Sequence, residues 1–321
     1  MNFSAYAIAM VIPAYRVERD IEAVLHSLPP YIKHIIVVDD ASPDSTFERV
    51  TAAAQKDERI LLLRHLQNQG VGGAMLTGFQ KALELNAQII IKLDGDGQMD
   101  PARIPALIEP LIEGKADYTK GNRFRDFKSL QMMPFVRRVG NLGLSFLTKV
   151  ATGYWNLFDP TNGFFAIRAE VLARLPFDKI DRRYFFETSM LANLYLLNAL
   201  VLDIPMPARY GSETSSLSIR RALFEFPYKL STIFFRRMLL RYYLYDFSMV
   251  SLYLLIGIPL LLFGGIFGGI KWVQYASQNI PAPTGTVMLP TLSVILGIQI
   301  LLSAIEIDMN SAPRKALSDP L

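Results

Sequence analysis

Two long stretches without a charged residue, 247–270 and 284–305, most constrain how this chain of 321 residues can fold. A helix of 24 residues extends about 36 Å at 1.5 Å per residue, enough to cross the ~30 Å hydrocarbon core of a bilayer. The second stretch has 22 residues and is also long enough. Core helices of soluble proteins seldom run so far without a charge, so a buried helix pair is the less favoured alternative. The sequence therefore predicts a transmembrane hairpin at 246–308, with a short connector, Lys271–Pro283.

Basic residues around the two stretches predict which way the hairpin faces. The connector carries a single lysine, whereas five basic residues lie close to the outer ends: Arg236, Arg237, Arg241, Arg314 and Lys315. Lysine and arginine concentrate on the cytoplasmic side of membrane proteins. We therefore expect the domain at 1–218, both termini and a tail at 309–321 to be cytoplasmic.

The segment before the first stretch, 219–245, mixes basic and large apolar residues. It has six basic residues against the single acidic Glu225: Arg220, Arg221, Lys229, Arg236, Arg237 and Arg241. Basic and aromatic side chains at helical spacing are typical of helices that lie in the membrane interface. We expect interfacial amphipathic helices that dock the protein on lipid, with a helix packed on the soluble domain as the alternative.

Residue counts exclude several kinds of site. The chain has no cysteine, which excludes disulfides, a thiolate nucleophile, cysteine-bound zinc and iron–sulfur clusters. Three scattered histidines, His26, His34 and His65, argue against a multi-histidine metal site. Any bound metal should therefore be a hard cation with oxygen ligands. The small net charge of +4, with basic residues beside apolar segments, indicates a membrane surface and no nucleic acid.

Residues 1–218 alternate between short apolar runs and helical stretches. The runs of strand length are Ala7–Ile12, Ile35–Val38, Ile60–Leu63 and Ile89–Leu93, and the helical stretches are Arg19–Leu28, Ser45–Gln55 and Gly72–Leu85. This alternation predicts an α/β fold with a doubly wound, mostly parallel sheet that binds ligands at the carboxyl ends of its strands. The first run accordingly indicates a strand rather than a signal peptide. Ser45 with Glu48 predicts a capping box, and Asp100 before Pro101 predicts the start of a helix.

Acidic residues follow the second and fourth predicted strands, at Asp39-Asp40 and at Asp94-Gly95-Asp96. Because these strand ends lie close together, we expect a cation among the carboxylates. Two carboxylates two residues apart can hold Mg²⁺ or Mn²⁺, which in turn binds the diphosphate of a nucleotide. An isolated Asp-x-Asp is often only a solvated turn, but its place after a buried strand favours the metal site. A dinucleotide-binding fold is disfavoured, because the glycine cluster that starts at Gly70 follows the third strand rather than the first.

An ordered series of motifs resembles the family-2 glycosyltransferases of the GT-A fold. The motifs are Pro13-Ala-Tyr15, Val37-Val-Asp39-Asp40-Ala-Ser42, Asn68-x-Gly70, Asp94-x-Asp96-x-Gln98, Gly121-Asn-Arg123 and Asp159-Pro-Thr-Asn-Gly163. Within that family the chain resembles the polyisoprenyl-phosphate glycosyltransferases, which include dolichol-phosphate mannose synthase and the bactoprenol glucosyltransferases with two C-terminal spans. The resemblance covers nearly the whole chain.

The resemblance implies roles for the matching residues. Those that would bind the nucleotide sugar are Pro13, Tyr15, Asp39, Asp40, Gly70, Asp94, Gln98 and Arg123. Those that would hold Mg²⁺ or Mn²⁺ are Asp94, Asp96 and Gln98. Those that would grip the acceptor phosphate are Arg137, Asn141 and Arg209. Catalysis would use Asp96, Asp159 as the carboxylate that approaches the acceptor, and Glu187 as the second candidate for a base.

Several positions depart from the family pattern. Asn122 and Asn141 stand where serine is usual, and Ser215-Ser216 stands where lysine is common, which removes one expected cationic contact to phosphate. A processive polysaccharide synthase would share the soluble motifs but would also carry Gln-x-x-Arg-Trp. Neither Trp155 nor Trp272 follows an arginine, so that signature is absent.

The implied activity is that of a membrane-bound, inverting, metal-dependent hexosyltransferase of a bacterial inner (plasma) membrane. It would move glucose from UDP-glucose to a polyprenyl phosphate, undecaprenyl or dolichyl, giving a lipid-linked sugar for cell-envelope glycosylation. GDP-mannose is the alternative donor, and a non-catalytic membrane scaffold is the alternative of another class. A homo-oligomer is also expected, because two overlapping small-residue patterns could pack helices closely within the hairpin or between subunits: Gly264, Gly265, Gly268 and Gly269.

Overall fold

The protein falls into two compact units in the computed structural model. The structure describes residues 1–122, 135–160, 162–206 and 219–321, with the backbone alone at 135–139, 141 and 219–224. The first unit, called the sheet unit below, comprises Met1–Phe234 and Pro313–Leu321. The second, called the hairpin unit, comprises Phe235–Ala312.

The sheet unit is built on a seven-stranded sheet. Its strands are β1 (Ile8–Ala14), β2 (His34–Asp39), β3 (Ile60–Arg64), β4 (Ile89–Lys92), β5 (Tyr118–Asn122), β6 (Phe165–Arg168) and β7 (Val201–Pro205). Their order is β3-β2-β1-β4-β6-β5-β7, and only β6 runs antiparallel to its neighbours. The expected α/β fold with a mostly parallel sheet is confirmed.

Six helices lie between the strands in the described chain. They are α1 (Ile21–His26), α2 (Thr46–Ala54), α3 (Val71–Glu84), α4 (Ile104–Ile112), α5 (Phe135–Thr152) and α6 (Phe186–Leu196). A further helix, α7 (Ile219–Leu239), follows the last strand. A single helical turn at Ala169–Leu172 follows β6. The expected strands and helices of the first 93 residues are all present, with ends shifted by one to two residues in most cases.

Both faces of the sheet are buried, which explains why its strands are continuous apolar runs. Successive side chains of a strand point to opposite faces. In β1, Ala9 and Val11 therefore join a core cluster with α3 and α6, whereas Ile8, Met10 and Ile12 join another with α1 and α4. The ligand-binding edge is left to the loops after the strands.

The two helix starts expected from the sequence have different outcomes. Asp100 caps its turn, because its Oδ1 accepts a hydrogen bond from the backbone N–H of Ala102 at 3.1 Å. Ser45 does precede α2, but its side chain makes no capping hydrogen bond. Asp44 Oδ1 takes that place by accepting from the backbone N–H of Thr46 at 3.3 Å. The capping-box prediction was therefore wrong, since an adjacent aspartate supplies the acceptor.

The hairpin unit contains the two longest helices of the described chain. They are α8 (Met249–Ser277) and α9 (Thr284–Asn310), of 29 and 27 residues, and both are long and apolar enough to cross a membrane. Each helix extends beyond the uncharged stretch of the sequence, so the connector shortens to residues 278–283. Gly264 and Gly268 lie against Pro290 of α9, whereas Gly265 and Gly269 have no described atom within 4 Å of a built Cβ. Self-association stays a prediction.

A buried ion pair lies within the hairpin unit. Arg237 Nη1 and Nη2 donate to Asp308 Oδ1 and Oδ2 at 2.6 and 3.0 Å, and the hydroxyl of Tyr242 donates to the same carboxylate. Only 1% of the Arg237 side chain and 8% of the Asp308 side chain are exposed. The expectation that Arg237 faces lipid headgroups is therefore wrong, because this arginine is enclosed by protein.

Residues that follow the hairpin in the chain return to the sheet unit. The backbone N–H of Leu317 donates to the carboxylate of Asp117 at 3.0 Å, and Arg168 Nη1 donates to the main-chain oxygen of Asp319 at 2.6 Å. Leu321 packs against the core cluster of α1 and α4. Of the tail expected at 309–321, residues 313–321 are thus folded onto the edge of the sheet that carries the amino ends of its parallel strands, whereas Met309 and Asn310 end α9.

Candidate active site

The Asp-x-Asp turn begins two residues after β4. The side chain of Asp94 is 31% exposed, and Asp96 Oδ1 accepts a hydrogen bond from the backbone N–H of Gln98 at 3.0 Å. Gly97, between them, has φ +73°, a backbone conformation that favours glycine and lets the chain turn back on Asp96. Two partly exposed carboxylates offer oxygen ligands of the kind that Mg²⁺ and Mn²⁺ prefer. Among the described residues no cluster of three or more histidine, aspartate or glutamate side chains could hold a metal.

A buried lysine connects this turn to Glu187. Lys92 is the last residue of β4, and its Nζ lies 2.9 Å from Asp94 Oδ1 and 3.2 Å from Glu187 Oε1. Burial alone would lower the pKa of Lys92, but the charges of Asp94 and Glu187 outweigh it and raise the pKa above the usual lysine value. The positively charged form of Lys92 is thus favoured by the two carboxylates on either side of it.

The turn Asp159–Gly163 lies beside the same three residues. A Cβ added to Gly163 would overlap Lys92 Nζ and lie 3.2 Å from Asp94 Oδ2. A Cβ on Gly121, at the end of β5, would lie 2.8 Å from Asn162 Nδ2. Glycine at both positions thus lets the turn fit between the ends of β4 and β5. Three motifs that are far apart in the sequence meet at one edge of the sheet.

Asp159 is held in its turn by buried polar groups. Its side chain is fully buried, and its main-chain oxygen accepts a hydrogen bond from Lys120 of β5. Beside it, Asp203 of β7 accepts hydrogen bonds at Oδ2 from Asn122 Nδ2 at 2.9 Å and from the backbone N–H of Phe158 at 2.7 Å. Burial raises the pKa of Asp203, and the Lys120 ammonium offsets part of that shift. Asp203 thus fixes the segment that leads into Asp159.

The two acidic residues at the end of β2 differ in what they can bind. Asp39 is fully buried, and its Oδ2 lies 3.3 Å from Arg64 Nε without accepting a hydrogen bond from a described residue. Asp40 is fully engaged, because His65 Nδ1 lies 2.7 Å from its Oδ1 and the backbone N–H groups of Gln69 and Gly70 both donate to it at 2.8 Å. Asp39 therefore has an acceptor to offer a ligand, whereas Asp40 shapes the loop before α3.

A family model named glycosyl transferase family 2 matches residues 9–175, which include the Asp-x-Asp turn and the Asp159–Gly163 turn. The matched segment is more than half of the chain and contains most of the sheet. The chain belongs to glycosyl transferase family 2. Its sheet is therefore the GT-A fold that the motifs led us to expect.

Two relatives of this glycosyltransferase are named for a lipid phosphate. Over 190 residues it is 35% identical to the UDP-N-acetylglucosamine–dolichyl-phosphate N-acetylglucosaminyltransferase of Methanococcus voltae, covering 55% of this chain and 75% of that protein. Over 199 residues it is 28% identical to the undecaprenyl-phosphate mannosyltransferase of Micrococcus luteus, covering 61% and 81%. Among solved structures, glucosyl-3-phosphoglycerate synthase of Mycobacterium tuberculosis with Mn²⁺, UDP and phosphoglyceric acid has a TM-score of 0.54 at 19% identity, covering 73% and 79%. That likeness shows the shared fold.

Two residues that were expected to bind the nucleotide sugar, Asp40 and Gly70, make contacts within the protein. The carboxylate of Asp40 already accepts from protein donors, and its contact with the nucleotide stays a prediction. Gly70 has φ +87°, and a Cβ there would lie 2.6 Å from the main-chain oxygen of Arg182. Its glycine is therefore required by the packing of the 181–183 segment on the start of α3. Pro13 and Tyr15 remain at the end of β1, with Tyr15 exposed.

Four expected contacts to phosphate lie wholly or partly outside the described residues. Arg123 and Arg209 are outside them, and Arg137 and Asn141 are placed only by their backbone, in the first half of α5. Gln98 is exposed, and its backbone N–H is bound to Asp96. The roles of these residues stay predictions.

Sequence reasoning missed two residues of the glycosyltransferase site, Lys92 and Asp203. A signal for the first was present: Lys92 is the only polar residue of β4 and stands two positions before Asp94. Residues two apart on an extended chain point to the same side, so the lysine and the aspartate were bound to meet. Asp203 gave no such signal, since its partners Asn122 and Phe158 are 81 and 45 residues away.

Proposed function

We propose that this glycosyltransferase transfers a sugar from a uridine diphosphate donor to a polyprenyl phosphate at the membrane surface. The observation that carries the proposal is the meeting of Asp94, Gly163 and Glu187 around Lys92 in a family-2 chain that continues into two membrane-length helices. One end of such a protein can bind a nucleotide, and the other holds it where a lipid substrate is found.

The donor side is supported by Asp39 Oδ2, which lies 3.3 Å from Arg64 Nε but accepts no hydrogen bond from a described residue. A buried carboxylate oxygen without a donor is costly, which favours a ligand that supplies one. A ribose hydroxyl or the N–H of a uracil base would do so, with Pro13 and Tyr15 beside it. Uridine is favoured because the relative at 35% identity is named for UDP-N-acetylglucosamine.

The diphosphate side is supported by the Asp-x-Asp turn. Asp94, Asp96 and Gln98 would hold a divalent cation with the donor phosphates. When bound, that cation supplies positive charge to the leaving diphosphate. The Asp96 carboxylate is oriented for this by the backbone N–H of Gln98. The turn itself is kept in place from the inside by Lys92.

The acceptor side is supported by exposed apolar side chains that follow Asn141. Leu142, Phe146 and Leu147 of α5 and Phe158 beyond it are each about half exposed. Lys149 adds a cation, with its Nζ 4.4 Å from the centre of the Phe158 ring. Exposed large apolar side chains beside a cation suit a lipid phosphate more than a soluble sugar acceptor. Arg137 and Asn141 would bind the phosphate at the start of the same helix, for which arginine is well suited.

The proposed reaction is a single displacement at the anomeric carbon. An oxygen of the acceptor phosphate forms the new bond to that carbon, and the bond from the carbon to the donor phosphate breaks, which inverts the anomeric configuration. A phosphate acceptor is largely ionised near neutral pH, since its second pKa is about 6. The protein therefore mainly has to orient the acceptor, and Asp159 or Glu187 would remove a last proton where one remains.

The sugar is best settled by direct transfer. Glucose from UDP-glucose is the donor we expect from the two-span architecture, with GDP-mannose as the alternative, and the relatives add N-acetylglucosamine and mannose as candidates. The purified full chain would be incubated with Mg²⁺, undecaprenyl or dolichyl phosphate and each radiolabelled donor in turn: UDP-glucose, UDP-N-acetylglucosamine and GDP-mannose. We expect one uridine donor to label the lipid. Labelling of neither lipid by any donor would favour a non-catalytic scaffold.

The role of Asp159 can be tested by its pH dependence. If Asp159 removes a proton from the acceptor, Asp159→Asn should lose most of the transfer rate at pH 6 and regain part of it at pH 8.5, where the phosphate is a dianion. Glu187→Gln, measured in parallel, gives the comparison for the other carboxylate. An equal loss of transfer rate at both pH values would show that Asp159 acts structurally or electrostatically rather than as a base. An unchanged transfer rate in Asp159→Asn would make Glu187 the candidate base.

The membrane topology can be tested in a chain that has no cysteine of its own. We propose that the sheet unit and both termini are cytoplasmic, because basic residues flank the outer ends of the hairpin. A cysteine at Ser277, exposed at the end of α8, should then react with an impermeant thiol reagent added to intact cells. A cysteine at the exposed Gln55 of the sheet unit should react only after lysis. The reverse pattern would contradict this orientation.

A further inference from the structure

Lys92 places a positive charge between two carboxylates at the candidate site. Its ammonium lies within 3.2 Å of both Asp94 and Glu187, and the lysine side chain is 2% exposed. Glu187 is itself only 13% exposed. Two carboxylates enclosed this closely repel one another unless a positive charge lies between them.

The positive charge between the two carboxylates is the ammonium group of Lys92, which cannot dissociate from the protein as a metal ion can. Asp94 is at the same time one of the two carboxylates of the Asp-x-Asp turn, and its Oδ1 is taken by Lys92. With Lys92 in place, the pair Asp94 and Glu187 carries one net negative charge instead of two. A free divalent ion that approaches the turn is therefore attracted less strongly than the number of carboxylates suggests.

We propose that Lys92 is a positioning residue that keeps the affinity of the Asp-x-Asp turn for a free divalent cation low, so that the cation binds together with a nucleoside diphosphate. This inference rests on the proposed function, because it assigns the turn to the donor phosphates. The diphosphate brings the negative charge that Lys92 has neutralised in the resting protein. Lys92 also fixes the side-chain direction of Asp94 and leaves Oδ2 as the oxygen for the incoming ion.

The space for this arrangement is created by Gly163. Any side chain at that position would collide with Lys92 Nζ and come within 3.4 Å of Glu187 Oε1. The absence of a side chain at Gly163 thus leaves room for the ammonium group of Lys92. The two residues are 71 positions apart in the sequence, yet the position of the lysine depends on the glycine.

The test measures Mn²⁺ binding to the full chain in detergent by electron paramagnetic resonance, with Mn²⁺ alone and with Mn²⁺ plus UDP or GDP. Wild type should bind Mn²⁺ weakly alone and more tightly with nucleotide. Lys92→Met should bind Mn²⁺ alone about 10- to 100-fold more tightly, because one charge within a few ångströms changes ion affinity by that order. Lys92→Arg, which keeps the charge, should stay close to wild type.

Two further variants guard against a trivial result. Glu187→Gln removes a negative charge and should weaken binding of Mn²⁺ alone. Lys81→Met removes a lysine on α3 that is paired with Glu84, and should leave that affinity within about twofold. Unchanged Mn²⁺ affinity in Lys92→Met, or an equal rise in Lys81→Met, overturns the proposal. Failure of the proposed function would look different, since neither UDP nor GDP would then strengthen Mn²⁺ binding to wild type.

Discussion

Replacing Asp96 by asparagine is expected to slow sugar transfer by about 1,000-fold or more while the protein stays folded. The amide keeps an oxygen that can accept the hydrogen bond from the backbone N–H of Gln98, so the turn should survive. What is lost is the negative charge that would bind the divalent cation, and through that cation the leaving diphosphate. An electrostatic contribution of several kcal/mol to the transition state corresponds to a rate factor of this size. Transfer of labelled sugar to polyprenyl phosphate gives the rate, and thermal unfolding checks the fold.

A matched variant in the same loop separates the charge from general disturbance. Asp100→Asn makes the same chemical change four residues later, at a side chain that caps the next turn through Ala102. We expect it to keep transfer within a few-fold of wild type, because asparagine is also a good cap. Chelation of divalent ions by EDTA should reduce wild type to the level of Asp96→Asn. An active Asp96→Asn protein, or an EDTA-resistant wild type, would contradict the metal site.

Breaking the ion pair of the hairpin unit is expected to have the largest effect on stability. Arg237→Met leaves the carboxylate of Asp308 buried without its cation, which should lower the free energy of unfolding by about 3–5 kcal/mol. Arg237→Met with Asp308→Leu removes both charges and should recover most of that loss, because an apolar pair can replace a buried ion pair with little cost. Denaturation of the full chain in detergent measures each variant, and the double-variant cycle gives the coupling.

The neighbouring arginine provides the control for this experiment. Arg236→Met changes the same kind of side chain one position earlier on α7, at a partly exposed site, and should alter stability by less than about 1 kcal/mol. Equal losses in Arg236→Met and Arg237→Met would show that the Asp308 contact has no special weight. A double variant as unstable as Arg237→Met alone would point to packing, since the lost charge would then not be the cause.

The sequence was sufficient for the first four of the seven strands because their residue period is determined locally. Each of the first four strands is a short apolar run bounded by turn residues, and each appears within one or two residues of its expected place. The Asp-x-Asp turn could be located for the same reason, since it directly follows such a run. The resemblance then supplied the Asp159–Gly163 turn and Glu187, which the structure brings to the same edge of the sheet.

What could not be predicted depends on partners that are distant in the sequence. Asp39 and Asp40 are adjacent acids at a strand end, and only the fold shows that Asp40 is taken up by the 65–70 loop. Arg237 stands in a basic, aromatic segment that resembles a lipid-facing helix, yet its carboxylate partner is 71 residues further along. A local pattern reports the kind of residue present and says nothing of which distant group will neutralise its charge.

The return of residues 313–321 to the sheet unit has a consequence for how the protein is made. Synthesis proceeds from the amino terminus, so both long helices are made before Leu317 and Leu321, which lie beside Asp117 and the α1–α4 core. Until then the carboxylate of Asp117 accepts from the backbone N–H of Leu200 and lacks the Leu317 donor. A chain that ends before residue 313 would therefore contain all seven strands but would lack the contacts that its last residues make with the sheet unit.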